Sequence, residues 1–172
     1  MIYEPSEDSF LLQKYVLKYA KGKVLDMGTG SGLQALTALK KTKDVLAVDI
    51  NKEAIKHVKE KGVKVIQSDL FSKVKGKFDL IIFNPPYLPE ETLEDKESQL
   101  ITTGGKKGYE VLEKFLVQAK KHLNENGQIL IVFSSQGGDV KKIFKKLKYK
   151  FEVLEEKSLF FEKLTVYLLE LK

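Results

Sequence analysis

From residue 23 onward, short apolar runs alternate with helical patterns, and this alternation constrains the fold more than any other feature. VLDM at 24–27, VLAVDI at 45–50, VKVIQ at 63–67 and FDLIIF at 78–83 each read as a strand. Between the first two, residues 32–41 place Leu33, Leu36 and Leu39 on one helical face. After Asp49, Asn51 supplies an N-cap and Gly62 a stop, bounding a second helix. A helix over 107–124 follows with Val111, Leu112, Phe115, Leu116 and Ala119 on one side, then an ENG turn at 125–127 and the strand QILIVFSS. A lysine-studded helix near 138–147 precedes two strands near 149–156 and 163–171, which read as an antiparallel hairpin. At the front, Ser6 caps a helix running to about Gly22. Strand and helix alternating at this spacing imply βαβ units and a mostly parallel sheet in an α/β fold.

The chain has 172 residues, enough for one domain with a sizeable core, and shows no linker or repeat that would split it. Its apolar runs are too short to span a bilayer, and MIYEPSEDS lacks the pattern of a secretory signal, so no membrane association and a cytoplasmic address are expected. The absence of cysteine excludes disulfides and thiolate chemistry. His57 and His122 lie far apart in lysine-rich stretches and read as solvated helix positions, so no metal site is expected. The net charge is +6, and all 30 basic residues are lysine. A basic surface suits phosphate, but without arginine the chain lacks the usual bidentate reader of guanine.

The first strand runs into Asp26-Met27-Gly28-Thr29-Gly30-Ser31-Gly32. Glycines in such a turn allow unusual backbone angles and close approach of a ligand. The spacing is GxGxG, and Leu33 stands where a dinucleotide fingerprint requires glycine, which favours an adenosyl ligand without pyrophosphate. A tight bend that binds nothing is the alternative. Asp26 can accept a hydrogen bond from a ligand ammonium, directly or through water. Asp49 ends the second strand, where a carboxylate can take ribose hydroxyls. Asp69 follows the third strand and can face an adenine amine, with Ile50 and Leu70 as apolar walls. Each aspartate alone could equally be a helix cap. Three of them after three successive strands all fall at the carboxyl edge of the sheet, where such folds bind ligands.

The fourth strand ends in Asn84-Pro85-Pro86-Tyr87. Prolines there stop the strand and stiffen the turn, a sufficient structural reason for them. At the ligand edge they also have a chemical reading. The Asn84 side-chain oxygen and the Pro85 carbonyl can accept both N–H groups of an amide or amine while Tyr87 lies against the planar group. Two acceptors aimed at an amide nitrogen stabilise the positive charge that develops as it attacks, and the same contacts hold it in line for displacement.

Taken together, DMGTGSG, the acidic strand ends and NPPY resemble the HemK family of protein-(glutamine-N5) methyltransferases. Tyr3-Glu4-Pro5-Ser6-Glu7-Asp8-Ser9-Phe10-Leu11 is similar to the YEPxEDTFLL opening of its short archaeal and eukaryotic branch, and Gly104-Gly105-Lys106-Lys107-Gly108 to its GGxxG element. The resemblance implies a single-domain Rossmann-like class I methyltransferase using S-adenosyl-L-methionine, with a seven-stranded sheet ordered 3-2-1-4-5-7-6. Residues 1–22 would form a helical cover, 23–83 the cofactor half and 84–172 the substrate half. It puts Ser9, Asp26, Gly28, Gly30, Asp49, Asp69 and Asn84 on cofactor-contacting positions, and Asn84, Pro85 and Tyr87 on the target glutamine. The acceptor implied is the GGQ glutamine of a class I release factor. The partner implied is a small zinc-binding activator subunit covering an apolar edge, for which Val63, Val65 and Ile66 on the third strand are the expected surface. Lys61 and Lys64 are the alternative guards of that edge. An exocyclic base amine of RNA or DNA and a protein lysine remain the alternative acceptors. The acidic segment with Glu90, Glu91, Glu94, Asp95 and Glu97 reads as a solvated loop, or else as a lid toward basic residues of the substrate.

Overall fold

Alternation along the strands sends successive side chains to two different helical layers, and the sheet is buried between them. The computed structural model describes residues 1–89 and 102–172. The acidic residues Glu90, Glu91, Glu94, Asp95 and Glu97 lie outside the described residues. The strands are β1 (Lys23–Met27), β2 (Asp44–Asp49), β3 (Val65–Gln67), β4 (Phe78–Phe83), β5 (Leu123–Ser134), β6 (Tyr149–Ser158) and β7 (Lys163–Leu171). The helices are α1 (Glu7–Tyr19), α2 (Leu33–Ala38), α3 (Lys52–Glu60), α4 (Glu110–Ala119) and α5 (Lys141–Lys146). The seven strands run in the order β3-β2-β1-β4-β5-β7-β6, as expected. β1 to β5 are parallel and β7 pairs antiparallel with both β5 and β6.

On one face, Leu25, Met27, Ile81, Phe83, Ile129 and Ile131 pack with Leu112, Phe115 and Leu116 of α4 and Phe144 of α5. On the other, Val24, Ala47, Leu80, Ile82, Leu130 and Val132 meet Leu12 and Val16 of α1, Ala35 and Ala38 of α2, and Val58 of α3. Burying each large apolar side chain contributes about 1.5–3 kcal/mol. The register sets Met27 beside both Val48 and Phe83, so β1, β2 and β4 end together and their following turns share one edge.

Five local readings of the sequence differ from the structure. The face that α2 buries is Ala35 and Ala38, with Leu39 exposed, because small residues let the helix lie close to β1 and α1. Val63 is not in the edge strand; it is buried beneath α3, and β3 begins only at Val65. Lys61 does not guard that edge but donates to the Ser31 carbonyl at 2.9 Å. The ENG segment is a bulge inside β5, with Asn126 at φ 60° and a register shift against Phe78 and Leu80. His122 closes a short 3-10 turn after α4, stacked on Phe71 at 4.6 Å, with Nδ1 2.8 Å from the Gly76 carbonyl.

Tyr149 joins the hairpin to α4. Its side chain is 1% exposed and its hydroxyl donates to the Leu116 carbonyl at 2.6 Å. Burial pushes its pKa well above the usual tyrosine value. Tyr149→Phe should cost about 1 kcal/mol of stability, read as a lower urea midpoint with an unchanged m-value.

Candidate active site

A cavity of about 570 Å³ opens at the carboxyl ends of β1, β2 and β4 and gathers the sequence-predicted residues Ser9, Asp26, Gly28, Gly30, Asp49, Ile50, Asp69, Leu70, Asn84, Pro85 and Tyr87 into one wall. The turn after β1 is built from backbone outward. Gly28, Gly30 and Gly32 have φ of 64°, 53° and 84°. At Gly32 a Cβ would also stand 3.0 Å from Val58, so α3 leaves no room for a side chain there. Asp26 is 2% exposed and accepts from the Thr29 hydroxyl at 2.7 Å and the Ala35 amide at 3.1 Å, fastening the turn to the start of α2. Burial, with the Asp49 charge adding to it and those hydrogen bonds opposing it, pushes its pKa up to about 7.

Asp49 accepts from the Gly30 amide and the Asn51 amide, each at 2.9 Å, so the end of β2 is stitched to the glycine turn. Asp69 stands farther out and pairs with Lys114 at 3.3 Å, both more than half exposed. Leu70 beside it has φ 46°, and Ile50, 44% exposed, lines the same cavity. Apolar walls with carboxylates spaced along them suit a ligand with a flat ring, a hydroxylated sugar and a cationic end.

The turn after β4 is held from two sides. Tyr87 donates to Asp8 at 3.3 Å and packs edge-on to Phe133, with ring centroids 6.0 Å apart. Burial first, then the Asp8 and Glu162 charges, raise its pKa far above the usual value, so it is a neutral donor. Asp8 on α1 is 2% exposed and also accepts from Tyr3 at 2.9 Å, the Ser6 hydroxyl at 2.8 Å and the Ser9 amide and hydroxyl at 2.6 and 3.1 Å. Tyr3 is pushed up to about 12, chiefly by burial. Behind the turn, the segment around Gly104 bonds to the Leu88 backbone, with Leu88 N to Thr102 O at 2.9 Å and Gly104 N to Leu88 O at 2.8 Å. A Cβ at Gly104 would meet the Gly108 carbonyl at 2.1 Å and the Pro86 carbonyl at 2.7 Å. The GGxxG element is therefore a backbone buttress for the NPPY turn.

Four cavity residues carried no signal in the sequence that singled them out. Asp8 reads as an ordinary first-turn helix acid, yet it joins Tyr3, Ser6, Ser9 and Tyr87. Gln34 is 6% exposed; its Nε2 donates to the Ser9 carbonyl at 2.8 Å. Its Oε1 is buried without a hydrogen-bond partner among the described residues, and Gln34 is one of the residues lining the cavity. An unpartnered buried acceptor on a residue that lines the same cavity as Asp26 fits a cofactor that brings N–H donors. Lys114 comes from α4, and Glu162 reaches the wall from the β6–β7 turn, bonded to the Ser134 hydroxyl.

A parallel sheet with its ligand edge built from a glycine turn and acidic strand ends is a nucleoside-cofactor α/β enzyme. The methyltransferase small domain family matches residues 7–161, and the chain belongs to this family of S-adenosyl-L-methionine-dependent methyltransferases. It is 39% identical to a candidate protein N5-glutamine methyltransferase of Methanocaldococcus jannaschii, over 96% of this chain and 89% of that protein. It is 34% identical to the release factor glutamine methyltransferase of Aquifex aeolicus over 76% of this chain, but spans 53% of that protein. In fold it is similar to the solved E. cuniculi Mtq2–Trm112 complex, which methylates the eRF1 translation termination factor, with a TM-score of 0.81, 24% identity and 99% of each chain covered. No helix among the described residues is long and apolar enough to cross a membrane.

Only an ionised Asp26 could pair with a cofactor ammonium, so that role predicts that cofactor affinity rises as pH approaches 7 from below. Isothermal titration should find S-adenosyl-L-methionine binding roughly fivefold tighter at about pH 7.5 than at about pH 6. Asp26→Asn should bind more weakly and with a flat pH profile over that range.

Proposed function

We propose that this enzyme methylates the side-chain amide nitrogen of a glutamine, the one in the GGQ motif of a class I release factor. The observation that carries the reading is the NPPY turn opening into the same cavity as the glycine turn and the acidic strand ends, with Tyr87 tethered to buried Asp8. The N5-glutamine methyltransferase relatives and the fold shared with Mtq2 support the same acceptor.

In this reading Ser9, Asp26, Gly28, Gly30, Asp49, Ile50, Asp69, Leu70 and Asn84 hold the cofactor. Asp26 and Gln34 take its ammonium, Asp49 its ribose and Asp69 its adenine amine. S-adenosyl-L-methionine supplies an electrophilic methyl group on a sulfonium. Asn84 Oδ1 and the Pro85 carbonyl accept the two amide N–H groups, and Tyr87 holds the planar group so that the nitrogen lone pair points along the methyl–sulfur bond. Those two acceptors would stabilise the positive charge that develops on the amide nitrogen as it takes the methyl group, and the surplus proton would leave to solvent. No strong base is needed before the step, which agrees with a turn that offers only neutral acceptors. Residues 1–22 act as the helical cover, 23–83 as the cofactor half and 84–172 as the substrate half. A small zinc-binding activator subunit is placed on the β3 edge, where Val65 and Ile66 are half-buried and β3 pairs, among the described residues, with β2 alone. A cytoplasmic site of action goes with a translation factor as substrate.

The test is transfer from labelled S-adenosyl-L-methionine to purified release factor, its GGQ-to-GGA variant, and bulk tRNA or DNA, with and without the activator. Label on the wild-type factor alone is expected. Label on nucleic acid with none on the factor would replace the glutamine reading by the base-amine one. Asn84→Ala should lower kcat at least about 100-fold in the same assay, since it removes an acceptor that stabilises the transition state. Tyr87→Phe, which keeps the ring and loses the tether to Asp8, should lower kcat about tenfold with cofactor affinity unchanged.

A further inference from the structure

The β6–β7 turn carries the two most exposed large apolar side chains among the described residues, Phe160 at 92% and Phe161 at 83%. Their rings stack edge-on, centroids 4.7 Å apart at 79°, so they present one aromatic knob. The turn beneath them is pinned. Leu159 N donates to Glu162 O at 2.8 Å, Lys163 N donates to the Ser135 hydroxyl at 2.9 Å, and the Ser134 hydroxyl donates to the Glu162 carboxylate. Glu162 itself lines the cavity that holds Asn84, Pro85 and Tyr87. The knob is therefore one residue along the chain from the acceptor side of the active site.

Local charge narrows what can cover it. The protein as a whole is +6, but residues 155–163 carry Glu155, Glu156 and Glu162 against Lys157 and Lys163. Those two lysines are paired with Glu7 and Glu156. Glu155 is likewise paired, with Lys14, so residues 155–163 offer phosphate no lysine that is not already in an ion pair. Such a surface accepts a polypeptide whose residues near the reaction site are apolar or basic. Exposed aromatic side chains on a pinned turn, next in sequence to a residue that lines the site, are suited to act as a binding hot spot.

We propose that Phe160 and Phe161 form a docking knob for the acceptor protein, gripping the chain that flanks the residue presented to Tyr87. The inference rests on the acceptor being a polypeptide, as in the function proposed above. The knob acts on capture of the substrate and not on transfer, so its loss appears in KM.

Steady-state methylation of intact release factor should be compared for the wild type, F160A/F161A and F160Y/F161Y, with cofactor affinity and Tm measured on each. F160A/F161A is expected to raise KM for the factor about tenfold, with kcat, cofactor Kd and Tm unchanged, and the tyrosine pair to restore KM to within about twofold. An active wild type whose KM is unchanged in F160A/F161A overturns the knob alone. So does an alanine variant that loses self-association in sedimentation, or flotation with anionic phosphatidylglycerol vesicles, while its KM stays at the wild-type value. A wild type inert toward the factor overturns the proposed function, and this inference with it.

Discussion

The Asp26 carboxylate, buried at the end of the central strand, is the interaction on which the cofactor edge depends. It accepts from Thr29 inside the glycine turn and from Ala35 at the start of α2, so a single side chain sets both the shape of the turn and the entry angle of the helix. A carboxylate taken out of water is costly unless its oxygens are satisfied. Two donors offset part of that cost. The remainder shows as a pKa raised to about 7, which leaves the group responsive to a cation placed beside it. The same residue thus holds the turn and sets a buried acid in the lining of the cavity.

A second acid performs the corresponding task on the acceptor side. Asp8 lies on α1, in a part of the chain that contributes no strand, and it reaches Tyr87 across the cavity mouth. Through Tyr3, Ser6 and Ser9 it also organises the N-terminal segment over the site. The N-terminal helix is therefore joined to the chemistry by a hydrogen-bond network as well as by packing on the sheet through Leu12 and Val16.

Much of this was legible in the residues. Apolar runs broken by capped helices specified the parallel strands, and β4 was read with its observed ends at Phe78 and Phe83. The acidic strand ends and NPPY were placed on one edge because strand direction alone dictates it. What was illegible depended on three-dimensional partners. Leu33, Leu36 and Leu39 form a regular stripe, yet Ala35 and Ala38 are buried, since the closeness of α1 to α2 is not written in either helix. The ENG bulge looks like a turn because Asn126 and Gly127 suit both, and only the pairing with β4 decides. Asp8 and Gln34 have no local pattern to mark them; the importance of Asp8 arises from Tyr87 and that of Gln34 from Ser9, each distant in sequence. The family resemblance located the opening motif but did not single out its aspartate.

The buttress behind the NPPY turn has a consequence for how such an enzyme can change its substrate. Gly104 and Gly108 support the turn through main-chain atoms, where the neighbours of a hypothetical Cβ are the carbonyls of Pro86, Tyr87 and Gly108. Main chain is indifferent to which side chains surround the cavity. Cavity residues outside that main-chain support, such as Gln136, can therefore differ without loosening the NPPY turn. On the function proposed above, methyl transfer and choice of polypeptide would then rest on separate residues, so a change of target would not require rebuilding the turn that holds the reacting group.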